Sequence, residues 1–180
     1  IIFSINIYYI FYSEHKFYNY MSTIRYLAKI GDIDKIVVAR IKLGSDLLKA
    51  LRNIAIENNI RAGIILSGVG GLSHAEIRNL KNLPEEFPIT DRNRLYTSQD
   101  GPFEILSISG NISERNGEIV VHAHISISYV KNNQVYSIGG HLIEGCIVNP
   151  FAEVIIAKLK GIIMNREYDE ETKAFELFKG

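Results

Sequence analysis

Between Gly101 and Cys146 the chain alternates apolar and polar residues with the two-residue period of half-buried β-strands. Asn116-Gly117 interrupts the alternation and is a strong hairpin signal, because a type I′ turn needs positive φ at both central residues. Asn132-Asn133 is a weaker turn of the same kind. Two-residue turns centred on these pairs predict a three-stranded meander. One face carries Leu106, Ile108, Ile112, Ile119, Val121, Ala123, Ile125, Ile127, Tyr136, Ile138, Leu142 and Cys146, and is the expected core face. The other carries Ser107, Ser109, Asn111, His122, His124, Ser126, Ser128, Ser137 and His141. In this register His124 lies opposite His141, and His122 sits two residues away on the same face. Three imidazoles therefore converge on a polar face. His-x-His with a cross-strand His is a common metal-ligand geometry, and it also arises among ordinary surface histidines.

Upstream, Lys35–Leu43 reads as a strand. Gly44-Ser45-Asp46 supplies a stop and a helix N-cap. Leu47, Leu48, Leu51, Ile54 and Ala55 then follow at helical spacing until Asn58-Asn59, which tolerates a left-handed cap. Ile60–Leu66 predicts a second strand and Leu72–Arg78 a third. Asn79–Asp100, with Pro84 and Pro88, reads mostly as loop. Ala152–Met164 fits strand or helix by periodicity, and Asp169–Lys179 reads as a short charged helix. Ser67-Gly68-Val69-Gly70-Gly71 lacks the spacing of a phosphate-binding loop and predicts tight turning with close backbone approach. Gly139-Gly140 predicts a bulge or close approach beside His141.

At 180 residues, 47% hydrophobic and 22% charged, the chain fits one soluble globular domain. Its net charge of zero argues against a strong non-specific nucleic-acid binder. What remains is a local patch, Arg78, Lys81, Arg92 and Arg94, with Glu85, Glu86 and Asp91 among it. Cys146 is the lone cysteine, so no intrachain disulfide forms and a reducing cytoplasm is the expected compartment. Its position on the apolar face predicts a buried, inert thiol. Residues 1–20 read differently: Ile1–Tyr12 is too short to span a bilayer and lacks the flanks of a signal peptide. We expect the natural start at Met21, residues 1–20 as a non-native or disordered extension, and residues 21–180 as a single domain. An N-terminal peptide from within 1–20 in the native protein's mass spectrum would overturn that expectation.

Gly-Ser-Asp-Leu-Leu-Lys-Ala-Leu at 44–51, Ala-Gly-Ile-Ile-Leu-Ser-Gly-Val-Gly-Gly-Leu at 62–72, Gly-Pro-Phe-Glu-Ile-Leu-Ser-Ile-Ser-Gly at 101–110, His-Ala-His at 122–124 and Gly-Gly-His-Leu-Ile-Glu-Gly at 139–145 resemble the PPC domain, the plants and prokaryotes conserved family. The resemblance runs from about Ile36 to about Ile156. It implies an α/β (α+β) fold: a single compact domain with a largely antiparallel, barrel-like sheet flanked by helices. It further implies a homotrimer, a strand at the start of Ala152–Met164, and zinc on His122, His124 and His141. In plants this domain accompanies an AT-hook, and no Arg-Gly-Arg-Pro hook occurs here.

Two classes of function follow. The first is a DNA-associated or regulatory trimeric module with a His-bound zinc, making weak DNA contact. The second is a zinc-dependent enzyme acting on a small oxygenated metabolite, since the architecture resembles acetolactate decarboxylase. Three imidazoles leave a fourth position for water or ligand. Ser107, Ser109, Asn111 and Ser126 are placed to orient an anion. The register offers no general base, because Glu118 lies at a strand end and Glu144 on the other face.

Overall fold

The computed structural model describes residues 2–9 and 20–178, with side chains from Arg25 onward. The described residues divide into two compact units, one up to Ile30 and one from Gly31 onward. In the first unit β1 (Ile2–Tyr9) pairs antiparallel with β2 (Tyr20–Leu27), Ile2 opposite Leu27 and Tyr9 opposite Tyr20. Ile1 and residues 10–19 of the expected extension lie outside the described residues.

The second unit holds β3 (Asp32–Lys42), α1 (Leu47–Glu57), β4 (Gly63–Leu80), β5 (Arg94–Arg115), β6 (Glu118–Lys131), β7 (Gln134–Leu142) and β8 (Ile147–Lys160). These strands form one antiparallel sheet in the order β3-β8-β4-β5-β6-β7. The sheet curls until β7 meets β4 again, pairing Ile77 with Leu142 and Arg78 with His141. The expected barrel-like antiparallel fold is therefore present as a ring of strands, not a closed barrel. Its helical flank is minor: α1 is the one α-helix among the described residues.

Helix α1 starts where Asp46 accepts the Lys49 N–H at 2.9 Å and ends before Asn59, whose φ is 51°. It buries Leu47, Leu48, Leu51 and Ala55 against the inner sheet face. That face contributes Ile108, Ile112, Ala123, Ile125, Ile127 and Leu142, and Cys146 joins the same core from the connection between β7 and β8. The lone thiol is buried, and burial pushes it up to about 11, an inert group at neutral pH as expected.

The meander has the predicted register. Both turns have positive φ (Asn116 53°, Gly117 85°; Asn132 51°, Asn133 57°), and His124 pairs with His141. Two residues of the expected core face differ: Tyr136 is 40% exposed and stacks on Tyr129 at the hairpin, and Leu106 also lies outside. A register shift between Ile105 and Ser107 turns Leu106 outward, 51% exposed, and brings Phe103 and Ile105 inward, 3% and 4% exposed. Pairing through Gly139-Gly140 is unbroken. A Cβ on Gly140 would come within 2.9 Å of the Arg78 carbonyl, so the glycines mark the close approach of β7 to β4 and not a bulge.

Three other expectations are corrected. The two strands read over 60–66 and 72–78 are one strand, β4. Gly70 (φ 141°) keeps it continuous, where a Cβ would lie 2.6 Å from the Ala152 Cα. The glycine run therefore serves close approach within a strand and not a turn. The loop read over 79–100 shrinks, because Arg94–Asp100 pairs with His74–Leu80. The helix read over 169–179 is a hairpin of β9 (Arg166–Asp169) and β10 (Ala174–Leu177). The Asp169 carboxylate accepts the N–H groups of Glu171 (3.0 Å) and Thr172 (2.8 Å), and this local turn outcompetes helix nucleation in so short a segment.

Candidate metal centre

The period-two geometry of β6 puts His122 and His124 on the outer face, and the β6–β7 pairing adds His141. Ring centroids are 5.5 Å apart for His122–His124, 5.0 Å for His122–His141 and 5.2 Å for His124–His141. One nitrogen from each ring can be chosen so that all three lie within 4.8 Å of one another. His124 is exposed, while His122 and His141 are half-buried.

Burial pushes His122 below its ordinary value, with Arg166 and then His124 adding to the shift. Burial and then the Arg78 guanidinium push His141 down to about 4. Both rings are neutral at pH 7, and each has one lone pair for an ion; that of His122, on Nδ1, accepts from Arg166, so an ion there would displace that hydrogen bond. Three imidazoles fit a divalent ion such as zinc, whose bonds to nitrogen of about 2.0–2.1 Å would draw the rings closer together.

The histidines line a cleft of about 740 Å³. Four guanidinium groups line it, Arg78, Arg94, Arg115 and Arg166, against one carboxylate, Glu176. Arg166 is the best anchored. Its Nε donates to Ser113 Oγ at 2.9 Å, and one terminal nitrogen meets both Asn111 Oδ1 and His122 Nδ1 at 3.1 Å. Arg115 lies over the Phe175 ring at 5.0 Å, and Arg94 pairs with Asp91 at 3.1 Å.

Of the residues expected beside the histidines, Asn111 joins through Arg166. Ser107, Ser109 and Ser126 stay exposed on the same face, outside the cleft lining. From the basic patch, Arg78 and Arg94 reach the cleft, whereas Lys81 and Arg92 do not line it. Glu144 is engaged elsewhere, with Lys49 (3.3 Å) and Arg52 (3.6 Å). Sequence reasoning missed Arg115, Arg166, Phe175 and Glu176. Reading Arg-Glu-Tyr-Asp and Ala-Phe-Glu-Leu as alternating strands would have found the last three.

His74 stands apart from the cluster. Its Nδ1 is 2.7 Å from Asp100 and its Nε2 is 3.0 Å from Glu76, and these hydrogen bonds, Asp100 first, raise its pKa.

An antiparallel, barrel-like ring with one covering helix and three histidines on its outer face defines an α+β domain with a metal-competent centre. Residues 28–160 match the Plants and Prokaryotes Conserved (PCC) domain, and the chain belongs to that family. It is 30% identical over 138 residues to the bifunctional protein GlmU of Synechococcus sp. (strain JA-3-3Ab), covering 77% of this chain and 19% of that protein. The chain thus spans about a fifth of the length of the curated relatives it matches. It is also similar to a solved metal-containing protein from Archaeoglobus fulgidus (26% identity, TM-score 0.68), over 86% of this chain and 100% of that one. A Bacteroides thetaiotaomicron structure provisionally described as DNA-binding shares the fold (20% identity, TM-score 0.64), over 83% and 98% of the two chains. No helix among the described residues is long and apolar enough to cross a membrane.

Proposed function

We propose that this chain is a metal-holding PPC module in which His122, His124 and His141 bind one divalent ion, zinc, per chain. The observation that carries the reading is the convergence of three ring nitrogens within 4.8 Å, with two of the rings held neutral by burial. Zinc bound there would supply a Lewis-acidic position open to water or a ligand. Elemental analysis of protein purified without a nickel column tests it. About one equivalent is expected, and less than about a tenth, with no uptake on titration, overturns it.

The module works as a homotrimer in the cytoplasm, in a DNA-associated or regulatory role. Support for assembly comes from the outer sheet face. Ile36, Val38, Ile155, Ile64, Leu66 and Leu106 lie on four neighbouring strands and are each 37–72% exposed. Ile64 pairs with Asn111 and Asn111 with His122, so this apolar area and the histidines share one face. So much adjacent apolar surface favours cover by another subunit. Light scattering at micromolar concentration should give three times the chain mass, and the monomer mass contradicts it.

A second reading, a zinc-dependent enzyme acting on a small oxygenated metabolite, is favoured by the concave, arginine-lined cleft beside the histidines. Turnover of a small hydroxy- or keto-acid that stops on chelation would put it first.

A further inference from the structure

The cleft is strongly cationic in a chain with no net charge. Four guanidinium groups face one carboxylate. Two of the arginines have other employment: Arg94 bonds Asp91, and Arg115 stacks on Phe175. Arg166 is fixed through Ser113 and Asn111, which pre-organises its planar fork beside His122. Arg78 is half-buried and has no hydrogen-bond or ion-pair partner among the described residues. Backbone pairing sets it opposite His141. The Asp91 carboxylate acts on it only at longer range and is already bonded by Arg94 and Tyr96, and a half-buried guanidinium without a direct partner favours an anion brought from outside.

The remaining wall is apolar apart from Asn79, from Leu80, Ile89, Val120, Val121 and Phe175. A volume of about 740 Å³ lies in the range of small-molecule sites. A duplex backbone presents a convex run of phosphates, which a concave pocket with apolar walls does not match.

We propose that this cleft binds a small organic anion, its carboxylate or phosphate paired with Arg78 and Arg166 beside the histidines and its apolar body against Val120, Val121 and Phe175. The proposal deepens the metal reading and rests on it only for the histidine end. The ligand serves as effector or as substrate according to which function holds.

The test is calorimetric titration of the full chain, metal-free and zinc-loaded, with 4-methylpentanoate, inorganic phosphate and a short DNA duplex. Zinc uptake is measured separately. The expected result is saturable binding of 4-methylpentanoate at one per chain, weakened at least tenfold in Arg78→Gln and in Arg166→Gln, both with wild-type circular dichroism. Phosphate in its place, with the same losses, would retain the anion site and overturn the apolar contact. Carboxylate binding without zinc uptake would sustain this proposal while the metal reading falls. Zinc uptake with no carboxylate or phosphate binding would overturn it while the metal reading stands. Binding only to zinc-loaded protein, unchanged in both variants, would assign the anion to the metal alone and remove the arginines' role. Binding of the duplex alone, lost in Arg78→Gln, would overturn the small-ligand assignment.

Discussion

Asp46 joins the helix to the segment that follows the third histidine, and its two oxygens do separable work. Oδ1 accepts the Lys49 N–H at 2.9 Å and caps α1. Oδ2 accepts the Gly145 N–H at 2.7 Å, just beyond the strand that carries His141. Asn caps about as well as Asp, but its amide cannot accept at both positions. Asp46→Asn should therefore keep the cap and lose the Gly145 bond, a partly buried hydrogen bond to a charged group that contributes about 1.5–3 kcal/mol. Asp46→Ala should lose both, adding about 1 kcal/mol for the cap. At about 2–4 °C per kcal/mol for a domain of this size, the melting temperature should fall by roughly 5 °C and then by a further 2–4 °C. Urea titrations of metal-free protein at one fixed concentration isolate these terms from metal and assembly. If Asp46→Asn lies within about 0.5 kcal/mol of wild type, or Asp46→Ala is no worse than Asp46→Asn, the division of labour between the two oxygens is wrong.

The exposed His124 can be removed without touching the core, so His124→Ala should keep the wild-type melting temperature of metal-free protein and weaken zinc at least about a hundredfold in a chelator competition. His74 gains its proton more readily in the folded state, so its contribution is complete below the unfolded pKa near 6.5 and disappears as pH rises through the raised folded value. Melting temperature should decline slightly over that alkaline window, and His74→Gln should flatten the decline; a decline that persists in the variant belongs to another group. DNA contact should be weak, because the basic patch offers only three or four side chains, Arg78 and Arg94 among them. Affinity in a mobility-shift series should drop at least about tenfold between 50 and 200 mM salt, and tight, salt-resistant binding would mean a base-reading element has been missed.

The meander was legible because its information is local. Two Asn-containing turns set the register, and alternation sorted the faces, so His122, His124 and His141 could be brought together from the sequence. Helix α1 was legible for the same reason, from Asp46 at one end and Asn58-Asn59 at the other. The bulge at Leu106 was not, since one extra residue in β5 leaves no local mark beyond an apolar side chain of the wrong parity. The continuity of β4 through Gly70 depends on how closely β8 passes. Arg166 was hidden by a misread period: the charged residues after Asp169 looked helical, while the side chain of Asp169 itself made the turn.

The histidines owe their direction to the core beneath them. A slip of one residue in β6 would turn His122 and His124 inward and expose Ala123, Ile125 and Ile127, each now at most 2% exposed. Burying two imidazoles while exposing those side chains costs several kcal/mol, so packing enforces the orientation of the ring nitrogens. The arginines have a different cause. In an open sheet β7 would be an edge and His141 would have β6 alone as neighbour. Because the sheet curls round, His141 also meets β4 at Arg78, and Gly140 makes room for that contact beside Asn79. The metal-competent cluster is thus a property of one hairpin, whereas the cationic cleft is a property of the ring. Substitutions that loosen the β4–β7 seam without touching a histidine should separate anion binding from metal binding.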